Sequence, residues 1–179
     1  MGDPRGTDKA SLDVGGVTLL DRVLAAVAAA QRVVVVGPRR PTASPVTFTT
    51  EEPAGCGPAA AIVHGLSLVV APIVVVLAVD LPFAATAVPK LTEALGAAEV
   101  SAAMLVDHAG RRQPLLAAYR TAALRGCAQG REWRGASVRS LVEALTVVEV
   151  AAVGGEALDC DTPEQLTSAR RAASSQPAG

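Results

Sequence analysis

Short β-branched runs alternate along the chain with longer stretches in which apolar residues recur at helical spacing. The four valines of 33–36, closed by Gly37, predict a strand buried on both faces. Residues 46–49 predict a second, weaker strand, and 73–79 the strongest one. Residues 100–106 and 113–118 predict strands on either side of the turn Asp107-His108-Ala109-Gly110, and 147–150 a last short one. Helical spacing covers 19–30, 58–69, 84–95, 119–129 and 137–145, with Pro58 suited to a first turn and Ser137 to an N-cap. The last helix has its start written out: Thr162 as cap, Pro163 at the first helical position and Gln165 at the third. This alternation predicts a three-layer α/β/α sandwich around a mainly parallel, Rossmann-like sheet. Residues 1–173 then form one domain, and the small, polar tail 174–179 should fray.

Composition narrows the picture. Half of the 179 residues are apolar but only 2% are aromatic, so Ala, Val and Leu must build the core. The net charge of −1 gives no general attraction to nucleic acid or to an anionic membrane. Three scattered cysteines (Cys56, Cys127, Cys160) form no paired framework, and the polar start carries no apolar signal region. The longest apolar run, 66–79, is broken by Ser67 and Pro72 and is too short to span a bilayer. A soluble, cytoplasmic domain with reduced thiols is expected.

The chemistry gathers around Asp80. It ends the most apolar run and precedes Leu81-Pro82-Phe83, and ligands of open α/β sheets bind at the carboxyl ends of strands. A lone carboxylate there, with Lys9 near the N-terminus, suits an enzyme holding a magnesium-bound polyphosphate. The plainer readings are an Asp80 that caps the next helix and a Lys9 that is an ordinary surface lysine. His64 and His108 show no ligand spacing and read as structural. Cys160 reads as a buried thiol, and Asp159 as solvated.

Five segments then resemble, in order, those of the molybdenum cofactor guanylyltransferases. They are Gly6-Thr7-Asp8-Lys9-Ala10, Gly55-Cys56-Gly57-Pro58, Asp80-Leu81-Pro82-Phe83, Arg112-Gln113-Pro114-Leu115 and Asp159-Cys160-Asp161-Thr162-Pro163. The resemblance implies a nucleotide-diphospho-sugar-transferase-like fold and a Mg²⁺-dependent transfer of GMP from GTP to a molybdopterin-type acceptor, with pyrophosphate released. It implies Mg²⁺ on Asp80 and Asp161, with Lys9 and Asp80 catalytic. Around the nucleotide it places Lys9, Glu52, Gly57, Pro58 and Asp80, with Glu52 preferred to Glu51 for contact with the base. Gln113, Arg131 and Arg134 fall on the acceptor side, and Trp133 marks a mobile loop there. A cytidylyltransferase using the same acceptor is the nearest competitor.

One departure stands out. Family members open with a buried strand and a glycine-rich loop, whose N–H groups cradle phosphates. Only eight residues, including Asp3 and Pro4, precede Lys9, too few and too polar for both. The first strand is therefore expected to be lacking, through a truncated or mis-assigned start. That gap also supports a different class of function, a non-catalytic nucleotide-fold protein that binds a partner without turnover.

Overall fold

The computed structural model describes residues 8–174. After a 3-10 turn at Lys9–Ser11 comes a small hairpin, β1 (Asp13–Val14) and β2 (Val17–Thr18). Gly15 and Gly16 turn it at φ of 67° and 82°, a region glycine enters without steric cost. Thr18 then caps α1 (Leu19–Ala26) by accepting the Asp21 N–H at 3.1 Å. Next come β3 (Val34–Val36), β4 (Thr47–Thr49), α2 (Pro58–Leu66), β5 (Ile73–Leu77) and α3 (Ala87–Ala97). The chain continues through β6 (Ala102–Val106), β7 (Arg112–Arg120), α4 (Thr121–Ala128), α5 (Val138–Val142), β8 (Val147–Ala151) and α6 (Pro163–Ser174).

The result is an α/β fold with helices packed on a sheet more mixed than the run pattern predicts. β5, β7, β6 and β8 form one sheet in that order; β7 is antiparallel to both neighbours, and only β6 and β8 run parallel. The tight turn at Asp107–Gly110, closed by the Gly110 N–H on the Asp107 carbonyl at 2.9 Å, forces that reversal, since parallel strands need a long crossover. The stretch 119–129 does not begin as helix: Tyr119 lies in β7 opposite Val74, fully buried, with its hydroxyl donating to the Pro114 carbonyl. Likewise 84–95 divides into a 3-10 turn, Ala84–Thr86, and α3.

Strand alternation sorts the core into two layers. Ala102, Met104, Ala117 and Tyr119 face α2, α4 and α5, whereas Ala103, Leu105, Leu116 and Ala118 face α3. A third cluster, with Val14, Leu19, Cys160 and Ala169, packs α6 and the hairpin together.

The other half of the layer is open. β3 and β4 pair with each other, in parallel, as a separate two-stranded sheet. Among the described residues no strand pairs with the second edge of β3 or of β5, and all eight residues of these two strands are only half-buried. Residues 1–7, which the sequence reads as too short and polar for the family's first strand, lie outside the described residues, as do 175–179 of the tail. Ser174, expected in that tail, closes α6. No described helix is long and apolar enough to cross a membrane.

Candidate active site

The carboxyl ends of β3 and β5 both lead to the turn that carries Lys9. From the β5 side comes Asp80, whose carboxylate lies 3.7 Å from Lys9 Nζ. From the C-terminal side comes Asp161, which takes a hydrogen bond from the same ammonium. From the β3 side comes Arg40, whose guanidinium pairs with the Asp8 carboxylate. Asp8 also accepts the Ser11 hydroxyl at 2.7 Å, closing the turn beneath Lys9.

Local sequence fixes Asp161. Gln165 Oε1 accepts the N–H groups of Asp161 and Thr162 at 2.9 and 2.7 Å, while the Gln165 N–H donates to Thr162 Oγ1. This is the reciprocal capping box that Thr162 and Gln165 predict. The same glutamine donates its amide to Asp159 at 2.6 Å, so Asp159 is held in place where the sequence suggests a solvated residue. The Cys160 N–H bonds the Asp80 carbonyl at 3.0 Å, tying the two acidic segments together. Cys160 itself is buried, as expected.

The charges are matched only in part. Burial, and then the nearby Asp161, push the Asp80 carboxyl above its ordinary value, against the opposing pull of Lys9. Lys9 is raised, foremost by its bond to Asp161. Two carboxylates that repel each other across one ammonium make a seat for further positive charge. The donors are hard oxygens, and Mg²⁺ typically takes one or two carboxylates with waters and phosphate oxygens. Among the described residues no group of three or more His, Cys, Asp or Glu is arranged to hold a metal by itself, so these two carboxylates fit a cation that phosphate completes.

The remaining candidates divide. Gly57 (φ 95°) caps α2 and Pro58 opens it, leaving this backbone corner open. Glu51 accepts the Gly55 N–H at 3.0 Å and stabilises the turn, so that Glu52 projects into solvent. Gln113 donates to Asp107 at 2.9 Å and belongs to that turn's network. Arg131 lies over the Trp133 ring at 4.1 Å, and Arg134 is 3.9 Å from Glu132. Trp133 is buried, with its indole N–H on the Ala128 carbonyl at 2.9 Å, so it anchors its loop where a mobile one was expected. The Gly135 N–H bonds the Cys56 carbonyl at 2.8 Å and stitches this loop to the glycine-proline corner. Both histidines make structural contacts, His64 with Thr49 and His108 with the Gly154 carbonyl.

Arg40 escaped the sequence reading. Its one visible signal is the pair Arg39-Arg40 just after the predicted strand 33–36 and Gly37.

The sequence matches the family described as the MobA-like NTP transferase domain over residues 1–150. No curated protein matches the chain. Among solved structures it is similar to 2-C-methyl-D-erythritol 4-phosphate cytidylyltransferase from Thermus thermophilus, with 25% identity and a TM-score of 0.72, covering 93% of this chain and 94% of that one. It is also similar in fold to molybdopterin-guanine dinucleotide biosynthesis protein A from Archaeoglobus fulgidus. There the identity is 21% and the TM-score 0.69, covering 96% of this chain and 93% of that one. A nucleotidyl transferase from Methanothermobacter thermautotroptrophicus shares the fold at 18% identity and a TM-score of 0.71, with coverage of 92% and 84%.

Proposed function

Since the chain belongs to the MobA-like NTP transferase family, we propose that this nucleotidyltransferase moves GMP from GTP to a molybdopterin-type acceptor. The observation that carries the reading is the convergence of Asp80, Lys9 and Asp161 at the carboxyl end of β5. A terminal phosphate oxygen of the acceptor attacks the α-phosphorus of GTP. The bond from that phosphorus to the bridging oxygen breaks, and pyrophosphate leaves with the electron pair. No side-chain nucleophile is needed, because positioning and charge stabilisation supply most of the rate.

Lys9 meets the negative charge that builds on the departing pyrophosphate. Its pairing with Asp161 aims the ammonium and keeps it protonated. Asp80 and Asp161 would hold Mg²⁺, which when bound neutralises phosphate oxygens and orients them for in-line displacement. Gly57 and Pro58 let the backbone come close to the nucleotide, and Glu52 is left free to accept from the guanine edge. Gln113, Arg131 and Arg134 lie on the acceptor side in this reading.

A cytidine donor is the second reading, favoured by the likeness to the Thermus thermophilus cytidylyltransferase and by the exposure of Glu52 in place of a buried base contact. Pyrophosphate release with GTP or CTP, each with Mg²⁺ and molybdopterin, separates them. The proposal expects release with GTP. Release with CTP alone selects the second reading, and release with neither, despite nucleotide binding, selects a binding protein without turnover.

A further inference from the structure

Lys9 draws on the same two carboxylates that fit a divalent cation, and this overlap carries an inference that rests on the transferase reading and its metal seat. The Lys9 ammonium donates to Asp161 and stands 3.7 Å from the Asp80 carboxylate. The backbones on both sides of this contact are fixed. Asp8 and Arg40 pin the turn beneath Lys9, and the Leu12 N–H bonds the Lys9 carbonyl at 3.0 Å. Opposite, Gln165 holds the Asp161 N–H, and the Cys160 N–H holds the Asp80 carbonyl. The two acids therefore stay together whether or not the ammonium lies between them. The part free to move is the flexible four-carbon stem of the lysine.

Charge decides what that arrangement does. Two carboxylates and one ammonium leave a single negative charge at the seat, whereas the carboxylates without the ammonium present two. An ammonium at this range also repels a dication held by the same oxygens. Its hold is nevertheless easily exchanged, because the Lys9 and Asp161 side chains are 36% and 53% exposed, and exposed pairs contribute little. Lys9 can leave its acids as soon as other anionic oxygens receive it, and a polyphosphate offers them.

We propose that Lys9 is the resident counter-ion of the metal seat: it keeps Asp80 and Asp161 from a bare divalent cation and releases them when a polyphosphate takes its ammonium. Metal and polyphosphate are then taken up together, and free divalent ions alone find the seat closed. Lys9 so governs metal entry before it meets the charge of the leaving group.

The test titrates Mn²⁺, which takes the same oxygen ligands, into the full chain without nucleotide and follows the loss of its free EPR signal. The wild-type chain should bind it weakly. Lys9→Gln should bind it about tenfold more tightly, the scale of one charge removed at a partly exposed site, with the thermal midpoint little changed. Lys9→Arg keeps the charge and should stay near the wild type. Adding Asp80→Asn to Lys9→Gln should cancel the gain, which places it at this seat. Equal or weaker binding by a folded Lys9→Gln chain overturns the proposal, and so does an equal gain in Lys9→Arg. Either result leaves the transferase reading standing, since pyrophosphate release measures that separately. Mn²⁺ binding that ignores Asp80→Asn, or no binding by any of the chains, overturns the proposal together with the metal seat.

Discussion

The two halves of the β layer differ in burial, and not in the direction that hydrophobicity would suggest. The paired stretch of β6 and β7 is sealed at its centre: Ala103, Leu105, Leu116, Ala117, Ala118 and Tyr119 are all fully buried. β3 and β5, with more valine, are half-buried along their whole length. Composition therefore does not set burial here; neighbours do. β7 has a strand on each side and helices above and below, whereas β3 and β5 each lack one flanking strand among the described residues. The candidate site residues sit where the halves meet, with Arg40 from one side, Asp80 from the other and the Lys9 turn paired with both.

The sharpest break of this contrast is a pair of truncations. Leu116→Ala in the sealed half should cost about 3 kcal/mol or more, and Val75→Ala at the open edge about 1 kcal/mol, as read from urea midpoints. Equal losses would mean the open half is as tightly packed as the sealed one.

Lys9→Ala tests the seam. Turnover should fall by about 10² while the thermal midpoint hardly moves; an unchanged rate would return Lys9 to the surface.

Glu156 pins the sealed half to the loop after β8. It is buried and accepts from Thr86 at 2.6 Å, Lys90 at 2.7 Å and the Val153 N–H at 2.8 Å. Glu156→Gln should cost about 1–2 kcal/mol through the weakened charge-assisted bonds, and an unchanged urea midpoint would show the latch to be slack.

Asp80 supplies a pH test of opposite sign. Its folded carboxyl titrates above the ordinary value, so its ionisation opposes folding above that range, and stability is regained as pH falls through it. Asp80→Asn should therefore be at least as stable as the parent at neutral pH, yet lose Mg²⁺-dependent nucleotide binding. A variant that binds normally in calorimetry would remove Asp80 from the site.

The smallest effect is at Asp8. Arg40, and then Ser11, hold its carboxyl below the ordinary value. The stabilisation is present above the unfolded value and lost as pH falls through the folded one. For a surface pair this amounts to less than about 1 kcal/mol. Arg40→Ala should lower neutral-pH stability by that small amount and converge with the parent at low pH, as read from a melting series across pH.

What the sequence disclosed follows the range of the interactions involved. The cap at Thr162 and Gln165 was legible because its partners are three residues apart, and β5 because an unbroken aliphatic run has few alternatives. The mixed sheet was missed because the general strand–helix alternation outweighed the one local signal against it, the tight turn at 107–110 that reverses β7. Arg40 was hidden because its partner lies 32 positions away. Glu52 was preferred to Glu51 by resemblance alone, since only the fold shows which carboxylate turns inward to Gly55.

The bond from the Gly135 N–H to the Cys56 carbonyl bears on how two ligands would sense each other. It joins the proposed nucleotide corner to the proposed acceptor loop, so a ligand that shifts one segment must strain or relax the other. Occupancy of the two proposed subsites would then be thermodynamically linked, with equal coupling in both directions.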